Sequence, residues 1–458
     1  MKINKILIAN RGEIAVRIIK TCKNMGIKTV TIYSDADKGS LHTKLGDESY
    51  YVGRSPPIHS YLNIQAIIDV ARKAQVDAVH PGYGFMSENA SFAEAVEKEG
   101  IIWIGPPPKV MRMIESKSFV RKLAMEAGVP VVPGSIEPVG LEEAENLLKK
   151  HGQILIKPDM GGGGKGMKLV RSVEELHEMF ESARREASYA AGKSGVYIEK
   201  YIERPRHIEV QILADSQGNI ISLGERECSI QRKYQKVIEE APSPVVDVKT
   251  RAYISDLAKR ILSKIGYVNA ATVEFIRDQQ GNFYLIEINK RIQVEHPVTE
   301  MVTGVDIVEK QIKIAGGEQL DIKEDLQPSG HAIEARIFAE DPETFMPSPG
   351  KITELYIPNG EGIRVDHALE KGANIPPFYD PMIAKVITYG ISRDDALGKM
   401  VKALHEFKID GIKTNIKFLL KILEDEEFKR GNIHTHFIEE RILKYNEKRN
   451  ERKWTSNT

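Results

Sequence analysis

The feature that most limits how this chain can fold is a rhythm in its first part. "KILIAN" reads as a strand, "GEIAVRIIKTCKNMG" as an amphipathic helix ending at Gly26, and "KTVTIYS" as a second strand. "AIIDVARKAQ" with "AVHPGY", then "FAEAVEKEG" with "IIWIG", repeat the alternation of helix and strand. Such alternation predicts a parallel sheet covered by helices. The first strand-to-helix turn, "ANRGE", lacks the glycine triplet that seats a pyrophosphate on a helix N-terminus. Residues 1–114 are therefore expected to be Rossmann-like in shape without an NAD site.

A length of 458 residues suggests roughly three domains. "GPPPK" at 105–109 marks the first boundary, and the helix pattern "SKSFVRKLAMEAG" follows it. Around 131–203 the strands "ILIKP", "MKLV" and "GVYIEKYI" enclose one helix, "SVEELHEMFESARREA". The long alternating runs "RHIEVQILAD", "IISLGERECSIQRK", "AATVEFIRD" and "NFYLIEINKRI" then predict a largely antiparallel sheet. After "PSG" at 328–330 a third unit of strands closes with the helices "SRDDALGKMVKALHEFK" and "IKFLLKILEDEEFKRG". The polar, basic end "KYNEKRNERKWTSNT" reads as a helix end and a frayed tail. The expected class is α/β and α+β.

The 65 basic and 65 acidic side chains cancel. No net field favours nucleic acid or an anionic membrane, so any work on a polyanion must come from a local site. The two cysteines, Cys22 and Cys228, are too few for a disulfide framework or a structural zinc site, and they fit a reducing cytosol. No apolar run nears the ~20 residues that span a bilayer. "MKINKILIANRGE" returns to charge too soon for a signal peptide. A cytoplasmic protein is expected.

Four segments carry chemistry. "MGGGGKGM" formally holds G-x-G-x-x-G at Gly161, Gly163 and Gly166, but Met167 stands where a Walker A motif needs lysine, and no helix pattern follows. Two readings remain: a loose surface turn, or a hairpin folding bare backbone N–H groups over phosphates. Lys157 and Lys165 favour the second. "AATVEFIRDQQGNFYLIEINKR" reads as a hairpin about "DQQGN", and symmetric pairing sets Glu274 opposite Glu287. At ~4 Å and an effective dielectric near ~20 they repel by about 4 kcal/mol, against the ~0.2–1 kcal/mol that a favourable cross-strand pair returns. Either a cation such as magnesium lies between them, shared with ATP phosphate oxygens, or the register shifts and both reach solvent.

In "EINKRIQVEH", strand alternation puts Glu287, Asn289, Arg291, Gln293 and Glu295 on one face. A wet outer face is the ordinary reading. Yet acceptors for a cation, a fork for an anion and amides between them suit binding. "SIQRKYQKVIEEAPSP" adds Arg232, Lys233 and Lys236 with Gln231 and Gln235. It is either a solvated basic face or, because "EEAPSP" reads as a loop, a cluster reaching a cleft.

Together and in this order, "GGGGKGM", "QRKYQKVIEEAPSP", "NKRIQVEHPVTE" and "HPGYGFMSEN" resemble the biotin carboxylase family of ATP-grasp enzymes. "ILIANRGEIAVRII" and "GHAIEARIFAEDP" are similar to the same family, so the likeness covers nearly the whole chain. The expected domains become a Rossmann-like unit at 1–114, an ATP-grasp unit at 115–328 with a lid at about 131–203, a C-terminal unit at 329–445, and a tail at 446–458.

The resemblance implies ATP contacts from Lys117, Lys157 and the lid glycines Gly161, Gly162, Gly163, Gly164 and Gly166. It places adenine at Glu199, Lys200, Tyr201 and Ile202, and the ribose side at His207, with Gln231 and Tyr234 close to the nucleotide. Glu274, Glu287 and Asn289 would face Mg2+ or Mn2+. Bicarbonate would lie against Arg291, Gln293, the Val294 backbone and Lys236, with Glu295 as its base. Tyr83 and Gly84 would sit beside biotin, and Arg336 would hold the enolate-like ureido anion.

The implied reaction passes through carboxyphosphate, which yields CO2 and phosphate; phosphate then deprotonates biotin. Biotin is expected from a separate carrier protein, since no "MKM" acceptor sequence occurs. The other implied partners are a second copy of the chain and a carboxyltransferase subunit, with no nucleic acid or membrane. The final acceptor stays open among acetyl-CoA, pyruvate, propionyl-CoA and 2-oxoglutarate.

Three departures from the family stand out. Tyr234 replaces a frequent histidine, Pro158, Asp159 and Met160 replace small residues, and Lys290 replaces Thr or Pro but points away by strand parity. Another ATP-grasp ligase would lack Arg291, Glu295 and Lys236 together. A non-catalytic scaffold would tolerate loss of Glu295 or Arg336, and a glycine-loop kinase would need H-R-D and D-F-G motifs, which are absent. Four residues of strand separate Arg291 from Glu295 by about 13 Å, too far for one bicarbonate. The strand is therefore expected to be irregular near Val294, ahead of Pro297.

Overall fold

The N-terminal rhythm folds as β1 (Lys5–Ile8), β2 (Lys28–Ser34), β3 (Glu48–Gly53), β4 (Ala78–His80) and β5 (Ile102–Trp103). They form a five-stranded sheet in the order β3–β2–β1–β4–β5, parallel throughout. In this computed structural model residues 2–160, 166–191 and 195–443 are described. Helix α1 (Gly12–Asn24) turns Ile14, Ala15, Ile18, Ile19 and Cys22 into the core, at the spacing that puts them on one helical face. Strand β3 was not evident in the sequence: it is an edge strand of polar and tyrosine residues, so it has no apolar run to announce it.

Helix α2 (Lys117–Glu126) starts at Ser116, whose side chain accepts from Phe119 N. Then β6 (Ile154–Pro158), β7 (Lys168–Val170) and β8 (Val196–Lys200) form a small antiparallel sheet with β6 in the middle. Helix α3 (Val173–Ala191) covers it with Leu176, Phe180, Ala183 and Ala187. Between β6 and β7, Gly161, Gly162, Gly163, Gly164 and Lys165 lie outside the described residues, as does the tail from 444 onward. Strands β6 and β7, on either side of these glycines, pair antiparallel, with Ile154 opposite Val170.

The main body is an eight-stranded antiparallel sheet. It uses β9 (Arg206–Ala214), β10 (Ile220–Arg232), β11 (Gln235–Ala241), β12 (Asn269–Arg277), β13 (Phe283–Asn289), β14 (His331–Phe338), β15 (Ile363–His367) and β16 (Met382–Gly390). Their order is β13–β12–β9–β10–β11–β14–β16–β15. The sheet crosses the division expected after residue 328, because β14 pairs directly with β11.

Three local expectations change. "EEAPSP" is not a loop from its start: Glu239 and Glu240 lie inside β11, buried between two partner strands and paired with cations instead of water. The single helix expected over 416–431 is broken into Ile416–Leu423 and Glu426–Lys429, because the Asp425 side chain accepts from Glu427 N and Phe428 N and starts a new helix.

The third change matters most. The strand in "EINKRIQVEH" stops at Asn289, and α4 (His296–Thr303) begins seven residues on, with Pro297 in its first turn. Two forces break the strand. Ile292 is fully buried in the core between the parallel sheet and the main sheet, among Ile8, Ile14, Leu213 and Ile307. Arg291 and His296 bond the local carbonyls of Ile292 and Gln293 in place of a neighbouring strand.

Candidate active site

A cavity of about 660 Å³ opens between the parallel sheet, the small β6–β8 sheet and the main sheet. Every described residue that the resemblance assigned to the site lines it except Gly166; of the basic run, Arg232 and Lys233 do not, and Arg232 pairs with Glu340 at 2.7 Å. Lys117, Lys157, His207, Gln231, Tyr234, Glu274 and Glu287 are on its walls, as are Glu199, Lys200, Tyr201 and Ile202. So are Tyr83, Gly84, Lys236, Asn289, Arg291, Gln293, Val294, Glu295 and Arg336. Gly166 instead turns the chain at φ +75°, where an added Cβ would meet Pro158 at 2.9 Å. Lys290 points away, as parity predicts, and donates to Met111 O at 2.9 Å.

Strand β6 and helix α2 bring one lysine each. Lys157 Nζ lies 3.0 Å from Glu199 Oε2, while Arg121 takes Glu199 Oε1 at 2.6 Å. Burial lowers the Lys157 pKa, but Glu199 and Tyr197 raise it by more, so the net shift is upward and the ammonium is kept. Lys117, the first residue of α2, has its pKa lowered by burial against the pull of Glu287. Its backbone N donates to Asp159 O at 3.0 Å, and the Asp159 carboxylate accepts from Ser118 N at 2.7 Å. The unusual Asp159 thus joins the end of β6 to the start of the helix that carries Lys117.

The sheet side brings the acids. Glu274 and Glu287 stand directly opposite in the β12–β13 ladder, at a register irregularity. Glu274 accepts from Lys236 at 2.9 Å, Asn289 at 2.8 Å and Gln293 at 3.0 Å, and His207 Nε2 lies 3.0 Å away. Burial opposes its charge, yet Lys236 and His207 hold its pKa well below the carboxylate range. Glu287 is pushed up, first by burial and then by Glu274. A buried and a half-buried carboxylate facing each other across one ladder, with Lys117 and Lys157 acting on the second, suit a divalent cation shared with phosphate.

Lys236 Nζ is the hub: Glu209 lies at 2.5 Å, Glu295 at 2.7 Å and Glu274 at 2.9 Å. Burial would discharge it, but three carboxylates raise its pKa well above the usual lysine value. Glu295, itself fully buried, also meets Arg336 Nη2 at 2.9 Å. Against the cost of burial, Lys236 and then Arg336 hold its pKa far down. Arg291 Nη1 donates to Gln293 Oε1 at 2.5 Å and Nη2 to Asn289 Oδ1 at 3.1 Å. Arg291, Gln293 and Glu295 thus share one cavity because the chain leaves the strand, not because they alternate along it.

Sequence reasoning missed several wall residues. Arg11 and Glu13 come from "ANRGE", noted only for the glycines it lacks, and Glu88 and Tyr379 come from loops. Glu209 and Glu239, which hold Lys236 and Arg336, were concealed in strands. Their signal was a carboxylate beside aliphatic residues in a strand, Ile208 and Val210 around Glu209 and Val237 and Ile238 before Glu239.

A small lysine-bearing antiparallel sheet facing a larger acidic one across the cavity defines the ATP-grasp class. Residues 2–111 match the family model Biotin carboxylase, N-terminal domain; 116–323 match Carbamoyl-phosphate synthase L chain, ATP binding domain; 334–440 match Biotin carboxylase C-terminal domain. Biotin carboxylase 1 of Bacillus subtilis is 51% identical over 444 residues, 95% of this chain and 98% of that one. Biotin carboxylase of Haemophilus influenzae is 50% identical over 444 residues, covering 96% and 99%. Among solved structures, the biotin carboxylase domain dimer of Hydrogenobacter thermophilus 2-oxoglutarate carboxylase, in complex with MgADP, ADP and bicarbonate, superposes with a TM-score of 0.93. It is 46% identical and covers 96% of this chain and 98% of its own. The chain belongs to the biotin carboxylase family.

Proposed function

We propose that this chain carboxylates biotin at the expense of ATP, with bicarbonate as the source of the carboxyl group. The observation that carries the reading is the Glu295 carboxylate between Lys236 and Arg336, with Arg291 on the same cavity wall. Lys117 and Lys157 would bind ATP phosphates, and Glu199 to Ile202 the adenine. Glu274, Glu287 and Asn289 would hold Mg2+ or Mn2+, which when bound offsets charge on the phosphates. Arg291, Gln293, the Val294 N–H and Lys236 would fix bicarbonate.

Glu295 takes the bicarbonate proton as its oxygen attacks the γ-phosphate of ATP, giving carboxyphosphate and ADP. Carboxyphosphate yields CO2 and phosphate; phosphate removes the ureido proton, and Arg336 stabilises the biotin anion that captures CO2. Lysines placed where phosphoryl charge spreads, and a lid that excludes water, serve this sequence.

The partners in this reading are a biotinylated carrier protein, a second copy of the chain and a carboxyltransferase subunit. Among the described residues no helix is long and apolar enough to cross a membrane, and Cys22 and Cys228 are free and buried. A cytoplasmic setting is proposed with them. The test supplies ATP, Mg2+ and bicarbonate with free biotin or with a biotinylated carrier domain. The expected result is bicarbonate-dependent ADP release and N-carboxybiotin, faster with the carrier. ATP cleavage indifferent to bicarbonate and biotin would overturn the reading, and covalent biotin on this chain would overturn the separate carrier.

A further inference from the structure

The turn "ANRGE" lacks a dinucleotide site's glycines, yet Asn10, Arg11 and Glu13 line the cavity. Asn10 Nδ2 donates to Pro81 O at 2.7 Å and Tyr83 O at 2.8 Å, so it fixes the turn that carries Tyr83 and Gly84. Glu13 is buried, and neither carboxylate oxygen has a hydrogen-bond partner among the described residues. Its ion pair is with Lys385 Nζ at 3.4 Å. Lys385 is fully buried on β16, donates to Val294 O at 2.8 Å, and lies 5.8 Å from the centre of the Tyr83 ring.

Two successive peptide planes are therefore clamped. The Gln293 carbonyl accepts from His296 Nδ1 at 2.7 Å, and the Val294 carbonyl accepts from Lys385. In a trans peptide the N–H of the next residue points opposite to the carbonyl. Fixing the Gln293 carbonyl aims the Val294 N–H, and fixing the Val294 carbonyl aims the Glu295 N–H and sets where the Glu295 side chain leaves the backbone. No strand ladder does this work, because β13 has ended at Asn289.

We propose that Lys385, held in place by Glu13 of the "ANRGE" turn, is a positioning residue that orients the Val294–Glu295 peptide towards bicarbonate. Through it the N-terminal unit becomes part of the bicarbonate site. Glu13 fits the task of a counter-charge. Burial pushes its pKa up to about 7 even with Lys385 pulling it down, and Asp366 and Arg364 also face it. Removing Lys385 would leave a carboxyl able to take up a proton instead of a stranded charge.

The inference rests on the proposed placement of bicarbonate at Arg291 and Val294, so the experiment includes Arg291→Gln. Bicarbonate-dependent ATP cleavage is measured in the full chain for Glu13→Gln, Lys385→Met and Arg291→Gln, varying bicarbonate and ATP in turn. Glu13→Gln and Lys385→Met are expected to raise KM for bicarbonate roughly tenfold or more while KM for ATP moves less than about twofold, since misplacing a binding group by ~1 Å can cost ~10²-fold. Glu13→Gln keeps the side-chain shape and decides alone if Lys385→Met does not fold. The proposal is overturned if Glu13→Gln leaves KM for bicarbonate unchanged, or raises both KM values together. A normal KM for bicarbonate in Arg291→Gln would instead overturn the placement of bicarbonate itself.

Discussion

Glu295 is held ionised by Lys236 and Arg336, which makes it a weak base in the ligand-free cavity. A general base works best with a pKa nearer the operating pH. The two cations that weaken it are also the groups proposed to receive bicarbonate and the biotin anion. Each that turns to a substrate withdraws positive charge from Glu295 and raises its pKa. The base would then strengthen as the site fills, and carboxyphosphate would not form in an empty site. Glu295→Gln removes the base and keeps the shape. Bicarbonate-dependent ATP cleavage is expected to fall by roughly 10²–10⁴-fold, while KM for ATP changes little. Near-normal turnover at saturating ATP and bicarbonate would remove Glu295 from this role.

The β12–β13 hairpin was legible to its register, because "DQQGN" between two β-rich runs leaves few pairings and the observed ladder sets Glu274 against Glu287. Beyond the hairpin the residues gave reason to expect an irregular strand near Val294, which is what is found, but not a strand that ends as early as Asn289. Side-chain alternation assumes a strand, and nothing local says that Ile292 will drop into a core shared with the parallel sheet. The residue types survived that error, because arginine, amide and carboxylate suit an anion wherever the backbone carries them. Likewise Glu209 and Glu239 could not be placed without knowing which strands flank theirs. For the hairpin the expected outcome is specific. Glu287→Gln should raise the magnesium concentration needed for half-maximal ATP cleavage by about tenfold or more, as loss of a carboxylate ligand from a hard-cation site would. Its thermal midpoint should not fall, because the variant removes repulsion from Glu274. Unchanged magnesium titrations in both Glu287→Gln and Glu274→Gln would refute a shared cation.

At the scale of the whole molecule, one carboxylate joins the three regions that the sequence suggested. Glu300 lies on α4, just after the segment proposed to hold bicarbonate. It accepts from Arg17 of α1 at 2.7 Å, from Arg364 of β15 at 2.8 Å, and from Ile307 N at 2.8 Å. Its partners reach it from the N-terminal helix, the far edge of the main sheet and its own loop, and both it and Arg17 are buried. Removing one partner of a buried pair costs about 3–5 kcal/mol, chiefly because the other charge is left stranded. Here the lower end is expected. Arg17 would keep Asp306 at 2.8 Å, and Arg364 would keep Asp366 at 2.7 Å. Glu300→Ala should therefore lose roughly 3 kcal/mol in urea unfolding, read as a lower midpoint at unchanged slope. Because β11 and β14 pair across the expected boundary, far-ultraviolet dichroism and tyrosine fluorescence should report the main sheet's unfolding as one coincident transition. Glu300 does not line the cavity, so the folded variant should bind ATP normally below its transition. A loss under about 1 kcal/mol, the range of exposed ion pairs, would mean that Glu300 does not hold the regions together and that their shared apolar core does.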